Sequence, residues 1–159
     1  MVNERIEATV KLNGAEVHYE IEGAGEPLLL LHGGTGCHGD WVYAGRERLI
    51  REYKLIAPDA RGHGQSTNPQ TTLSHRQCAL DTLALLDHLG NERCKAIGVS
   101  MGGNILLHMA TLQPERIEAM VIVSATMRFA EQARRIMAGV PPPENQPASE
   151  WEAMRKRHV

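Results

Sequence analysis

The chain has 159 residues, of which 42% are hydrophobic and 23% charged, and its formal net charge is −2. This balance is typical of a globular domain with a sizeable core, and the small negative charge argues against a nucleic-acid or anionic-membrane partner. The three cysteines are widely spaced, no run approaches the about 20 apolar residues of a membrane span, and "MVNERIEATV" is charged where a signal peptide is apolar, so we expect a reduced, cytoplasmic protein.

The N-terminal segment "RIEATVKLNGAEVHYEIEG" alternates between apolar and polar residues, which predicts two strands. Asn13-Gly14 stands between the two halves and is a strong short-range signal for a hairpin. His18 shares the polar face with Glu16 and Glu20, so we expect it to be a solvated strand residue. The segment therefore predicts an antiparallel hairpin.

Apolar strands and helices then alternate along the chain. The runs "PLLLL" at 27–31 and "YKLIAPD" at 53–59 are typical of strands covered on both faces. Helices are expected over 40–51, from about 74 to 90 and over 104–112, with further strands at 94–99 and 117–125. This order predicts an α/β fold: a doubly wound, mostly parallel sheet with an antiparallel N-terminal hairpin. We place this core in residues 1–125 and the start of a lid or cap region in residues 126–159.

The stretch "KAIGVSMGGNILL" at 95–107 holds Ser100 between Gly98 and Gly102, where a predicted strand meets a predicted helix. G-x-S-x-G in this context is the nucleophile elbow. The glycines are needed because side chains would collide at so sharp a turn, and the serine takes a strained conformation that projects its hydroxyl above the sheet. The alternative is a glycine-rich turn that carries a bystander serine.

A second glycine-rich loop, "HGGTG" at 32–36, follows the strand at 27–31. Small residues there would let a backbone N–H approach a reacting oxygen, and the N–H of Met101 would supply a second donor. Together the two donors would form an oxyanion hole. The alternative is a loop without function. His32 precedes the loop and is expected to be structural rather than a base.

Three motifs occur in the order and spacing of one family: "HGG" at 32–34, "DARGHGQS" at 59–66 and "GVSMGG" at 98–103. With them the chain resembles the α/β-hydrolase superfamily from the hairpin to about residue 125, in particular small esterases, enol-lactonases, haloperoxidase-like enzymes and carbon–carbon bond hydrolases. The resemblance implies Ser100 as the nucleophile and the N–H groups of Gly34 and Met101 as the oxyanion hole. It makes Gly33 and the two elbow glycines structural neighbours of the site. It also implies a small acyl substrate such as an ester or lactone, and no cofactor.

The rest of the triad is not found. In this superfamily an acid and then a histidine follow the serine in the chain, but no further core strand is predicted after residue 125. By the resemblance, Asp59, Arg61 and Ser66 belong to a structural turn. The other histidines are weaker candidates for a base: His38, His63, His75, His88, His108 and His158. We therefore expect a nucleophile and an oxyanion hole without the acid and the histidine. A non-catalytic binding or interaction protein on the same fold is the alternative.

One further motif favours a different class of protein, one that binds a dinucleotide. Residues 34–39 match G-x-G-x-x-G and Asp59 ends the next strand, which is the dinucleotide-binding fingerprint. We keep dinucleotide binding as a minor alternative, because the helix is expected only at Asp40, after the glycines. No HExxH motif and no cluster of Cys and His in the sequence predicts a metal site.

The apolar strand at 117–124 is the last one predicted, so it should form an edge of the sheet. Unpaired edges of this kind pair with other chains. We therefore expect the 159-residue chain to self-associate through this strand.

Overall fold

The computed structural model describes residues 5–70 and 72–126. In this part of the chain six strands form one sheet in the order β1-β2-β4-β3-β5-β6. The strands are β1 (Ile6–Leu12), β2 (Ala15–Glu22), β3 (Glu26–Leu31), β4 (Tyr53–Pro58), β5 (Cys94–Val99) and β6 (Ile117–Val123). The helices are α1 (Arg46–Leu49), α2 (His75–His88) and α3 (Met101–Leu112), with 3₁₀ helices at His38–Ala44 and Pro114–Arg116.

The N-terminal hairpin forms as predicted. β1 and β2 pair antiparallel, with Leu12 opposite Ala15 across the turn. Asn13 and Gly14 both take positive φ, at 46° and 81°, which matches the right-handed twist of the strands they join. β2 also pairs antiparallel with β4 and so attaches the hairpin to the rest of the sheet.

The remaining strands β4, β3, β5 and β6 are parallel. Side chains of β3 alternate between two cores: Leu29 and Leu31 pack with α2 and α3, whereas Leu28 and Leu30 pack on the opposite face with Trp41 of the first 3₁₀ helix. Coverage on both faces is the reason that this strand is uniformly apolar. The predicted fold class, a mostly parallel α/β sheet with an antiparallel hairpin, is confirmed.

One local prediction is wrong, and another is not tested by the described residues. The helix expected over 40–51 is a 3₁₀ helix followed by the short α1, and Gly45 with φ of 76° separates them. The expected lid region, with a helix from residue 127, lies outside the described residues. No helix among the described residues is both long enough and apolar enough to cross a membrane.

The prediction that His18 is solvated is wrong, since the residue is only 5% exposed. The turn after β4 covers this part of β2: the N–H of His18 donates to Ser66 Oγ at 2.9 Å, and the side chain of Gln65 lies 3.1 Å from the Nε2 atom of His18. Strand alternation could not reveal this burial because the cover comes from a loop distant in sequence.

Candidate active site

Ser100 occupies the turn between β5 and α3. Its backbone lies at φ 50° and ψ −110°, a conformation that costs a non-glycine residue about 1–3 kcal/mol. The strain is held by hydrogen bonds from Ser100 N to Val123 O, at 2.8 Å, and from Asn104 N to Ser100 O, at 3.1 Å. The residue is exposed, so its hydroxyl is accessible above the carboxyl end of the sheet.

Glycines let the neighbouring backbone segments approach this turn. A Cβ atom on Gly98 would lie 2.5 Å from the carbonyl oxygen of Gly102, and one on Gly102 would overlap the carbonyl of Leu31. A Cβ on Gly103 would lie 2.5 Å from Cβ of Ala125. The first turn of α3 therefore packs against the end of β3, which brings the serine beside the loop that follows β3.

That loop lies directly against the serine turn. A Cβ built on Gly33 would be 3.8 Å from Cβ of Ser100, and one on Gly34 would be 3.7 Å from Cβ of Met101. The two segments line one cleft of about 530 Å³, together with Trp41. The structure thus brings the predicted nucleophile and both predicted oxyanion donors to one place.

His32 fixes the orientation of the loop. Its Nε2 accepts a hydrogen bond from Ala60 N at 2.9 Å, so the proton of the neutral ring is on Nδ1, which donates to Gly33 O at 2.7 Å. Gly36 N donates to the same oxygen at 3.0 Å. In a trans peptide this carbonyl points opposite to the N–H of Gly34. Holding the oxygen therefore also aims the N–H.

The two N–H groups are available to a ligand. Among the described residues no acceptor pairs with the N–H of Gly34. Met101 begins α3, and the first N–H groups of a helix have no partner within it. Burial lowers the pKa of His32, which favours the neutral ring that this arrangement needs. The site can therefore stabilise negative charge that develops on an oxygen beside Ser100.

A model of the alpha/beta hydrolase fold family matches residues 26–150. The chain belongs to this family.

Relatives in the hydrolase family carry several chemistries. The chain is similar to a soluble epoxide hydrolase of Corynebacterium sp. (strain C12), with 34% identity over 112 residues. It is also similar to the acetyltransferase component of an acetoin cleaving system from Pseudomonas putida, with 33% identity over 108 residues. The matches cover 70% and 67% of this chain but 39% and 29% of the relatives.

Solved structures of hydrolases are also similar to this chain. A hydrolase from Pseudomonas aeruginosa PA01 matches with a TM-score of 0.78 and 28% identity, over 92% of this chain and 56% of that one. The ligand-free epoxide hydrolase CorEH matches with a TM-score of 0.72 and 29% identity, over 89% of this chain and 47% of that one. The chain spans about half the length of these structures.

The "DARGHGQS" turn at 59–66 is fixed by hydrogen bonds of its own side chains. Asp59 is buried and accepts hydrogen bonds from the backbone N of His38, at 2.7 Å, and of Gln65, at 2.8 Å. Ser66 Oγ donates to the carbonyl of Asp59 at 2.7 Å. Arg61 binds both carboxylate oxygens of Asp81 in α2, at 2.8 and 2.9 Å. These contacts give the three motif residues structural roles.

His63 joins this turn to the oxyanion loop. Its Nδ1 lies 3.1 Å from Arg61 O and its Nε2 lies 2.9 Å from Gly34 O. Both neighbours are hydrogen-bond acceptors, and a neutral ring with its single N–H can donate to only one of them. His63 does not line the cleft. His38 is paired with Asp59 and does not line the cleft.

The described part of the cleft thus lacks a free histidine that could act as a general base. His32 is the one histidine that lines it there, and both of its ring nitrogens are engaged. Sequence reasoning did not foresee that Asp40 and Trp41 also line the cleft. Their position depends on the 3₁₀ helix that replaces the expected α-helix. The G-x-G-x-x-G match leads into that same helix, so the glycines do not open an α-helix as a dinucleotide site requires.

Proposed function

We propose that this protein is a serine hydrolase of acyl compounds such as esters or lactones, with Ser100 as the nucleophile. One observation carries the proposal: the exposed Ser100 sits on a strained turn against a loop whose oriented, unpaired N–H belongs to Gly34. Strain of this kind persists where function requires it. The family membership supports hydrolysis in general, whereas the serine mechanism and the substrate class are our inference.

The reaction proceeds in two steps. Ser100 Oγ bonds to the carbonyl carbon while its proton passes to a general base, and the carbonyl oxygen becomes an oxyanion that accepts from the N–H groups of Gly34 and Met101. The C–O bond to the leaving alcohol then breaks, and the alcohol takes the proton. Water attacks the resulting serine ester in the same way, which releases the acid and restores the hydroxyl.

The serine favours acyl substrates over the epoxides named for several relatives. Attack of a serine oxygen on an epoxide carbon would produce an ether, which has no carbonyl at which water could release the product. Attack on an acyl carbonyl produces an ester, which water can hydrolyse. An acyl substrate also places a developing oxyanion where the Gly34 N–H is oriented.

The general base and its acid partner are proposed to come from outside the described residues, because the described histidine in the cleft is engaged on both nitrogens. The three cysteines are free, which supports our proposal of a reducing, cytoplasmic location.

Labelling with a fluorophosphonate followed by peptide mapping tests the nucleophile. Ser100 is expected to carry the label, and the Ser100→Ala variant is expected to carry none. The rate should be slow when no base is supplied. Labelling at another residue that is unaffected by Ser100→Ala would contradict the proposal. The substrate class is tested by assaying an ester and an epoxide in parallel with a form of the protein that contains the acid and the histidine of the triad. Turnover is expected for the ester alone.

A further inference from the structure

Three potential metal ligands from separate segments meet at the N-terminal hairpin, and none of them lines the serine cleft. Glu7 lies on β1, His18 on β2, and His38 begins the first 3₁₀ helix. One ligand atom of each lies within 4.8 Å of the others. The rings of His18 and His38 are 5.0 Å apart between centroids. No spacing motif marks these residues in the sequence, which is why sequence analysis predicted no metal.

The hydrogen bond of His38 prepares it as a ligand. Its Nδ1 lies 2.9 Å from Asp59 Oδ1, and because a carboxylate only accepts, the proton of the neutral ring is on Nδ1. Nε2 then carries the free lone pair. A histidine that donates its other ring N–H to a carboxylate is the usual arrangement around protein-bound metals, since it fixes the ring and raises its basicity.

His18 and Glu7 present matching donor atoms. The amide nitrogen of Gln65 lies 3.1 Å from His18 Nε2 and donates to it, so this atom also carries a lone pair. Gln65 is exposed and can swing away when an ion takes its place. Glu7 uses Oε1 for Arg5 at 2.9 Å, while its Oε2 lies 3.9 Å from His18 Nε2.

We propose that Glu7, His18 and His38 bind one zinc ion. Two imidazoles and a carboxylate form a donor set that suits zinc, which leaves a fourth position for water. Ligand atoms around tetrahedral zinc are about 3.5 Å apart, so the side chains need only to close up modestly. The ion would tie the hairpin to the segment that follows the oxyanion loop.

A second arrangement uses His38 with Cys37 and Asp59. The hydrogen bonds argue against it, because Asp59 Oδ1 already accepts from the N and Nδ1 atoms of His38 and Oδ2 accepts from Gln65 N. Binding there would break a buried network, whereas binding at the Glu7 set displaces one exposed amide.

Calorimetry with Zn²⁺ on the untagged chain tests the site. One ion per chain is expected, and Glu7→Gln, His18→Gln and His38→Gln should each weaken binding by at least about tenfold. Glu7→Gln alters a partly exposed side chain, so it remains informative if a histidine variant folds poorly. His75→Gln, which changes a histidine outside the cluster, should leave the affinity unchanged. Wild-type affinity equal to that of the His18→Gln/His38→Gln double variant would overturn the proposal.

Two more variants locate the ligands. Gln65→Ala should bind zinc as tightly as the wild type or more tightly, and weaker binding would refute His18 Nε2 as a ligand.

Cys37→Ser should bind zinc with unchanged affinity. Co²⁺ in the site should show visible d–d bands without a thiolate charge-transfer band. A thiolate band, or loss of affinity in Cys37→Ser, would overturn the assignment in favour of the other arrangement.

Discussion

The Nδ1 atom of His32 holds the carbonyl oxygen of the adjacent Gly33 at 2.7 Å, while the Nε2 of the same ring accepts from Ala60. One buried ring thereby connects Ala60, two residues after the end of β4, to the peptide unit that carries the N–H of Gly34. The proposed oxyanion donor is thus positioned by a side chain that need not touch the substrate.

Replacing His32 should slow acylation of Ser100. His32→Ala removes the donor to Gly33 O, so the peptide that carries the Gly34 N–H is no longer held in position. Because the loss of one oxyanion donor costs about 10²–10³ in rate, we expect a decrease of up to that size. His32→Asn keeps a donor near the position of Nδ1 and should lose less. Mass spectrometry of acylation by p-nitrophenyl acetate, with imidazole supplied as the base, measures both rates. Equal rates in His32→Ala and the wild type would show that the loop needs no such support.

The free energy of unfolding should fall below about pH 6.5 because of His32. Burial lowers its pKa from 6.5, and His63 lowers it to a smaller extent. The hydrogen bond to the Gly33 carbonyl and the charges of Asp59 and Asp40 raise the pKa but do not reverse the net shift. The unfolded chain therefore binds this proton at higher pH than the folded chain. The stabilisation is complete above pH 6.5 and is lost as the pH falls toward the folded-state pKa. Urea denaturation against pH should show a shallower decline for His32→Asn; an identical decline would exclude His32 as the source.

Much of the fold could be predicted because local signals and tertiary environment agree. Asn13-Gly14 fixes the hairpin turn, and the uniformly apolar β3 reflects cores on both of its faces. The glycines around Ser100 predicted a close approach of backbones, and the structure has one between α3 and the end of β3. These features are each encoded within a few residues.

What the sequence could not reveal depends on contacts between distant segments. His18 is polar on an alternating strand, yet Gln65 and Ser66 cover it. The tautomer of His32 is set by Ala60, which is 28 residues away. Periodicity carries no information on such partners, so both the buried histidine and the roles of the ring nitrogens needed coordinates.

Alanine at Gly98 should destabilise the fold. Its Cβ would lie 2.5 Å from the carbonyl oxygen of Gly102, and overpacking of this kind typically costs about 1–3 kcal/mol or more. Gly39→Ala is a matched control, because its Cβ would meet only Cys37 Sγ at 3.6 Å. Urea denaturation should give a lower midpoint for Gly98→Ala alone. Equal midpoints would contradict the close packing at the elbow.

The edge strand β6 should promote self-association. Among the described residues it pairs only with β5, and Val121 on it is 55% exposed. Unpaired apolar edges pair with other chains, and a lysine on the edge suppresses this. Val121→Lys should therefore reduce the mass measured by light scattering, whereas Ile6→Lys on the opposite edge strand should reduce it less. A monomeric wild type at tens of micromolar would refute this expectation.

Residues 1–159 alone should hydrolyse p-nitrophenyl acetate negligibly, because a serine hydroxyl is a weak nucleophile without a base. In a serine protease, loss of the histidine costs about 10⁶ in kcat, and about 10³ over water survives through the oxyanion hole and binding. Added imidazole should enter the open cleft, take the proton of Ser100 and accelerate acylation. Ser100→Ala, which corrects for direct attack by imidazole on the ester, should show no acyl-enzyme. Ser100-dependent turnover at ordinary enzyme rates without imidazole would place a base within these residues and contradict the prediction.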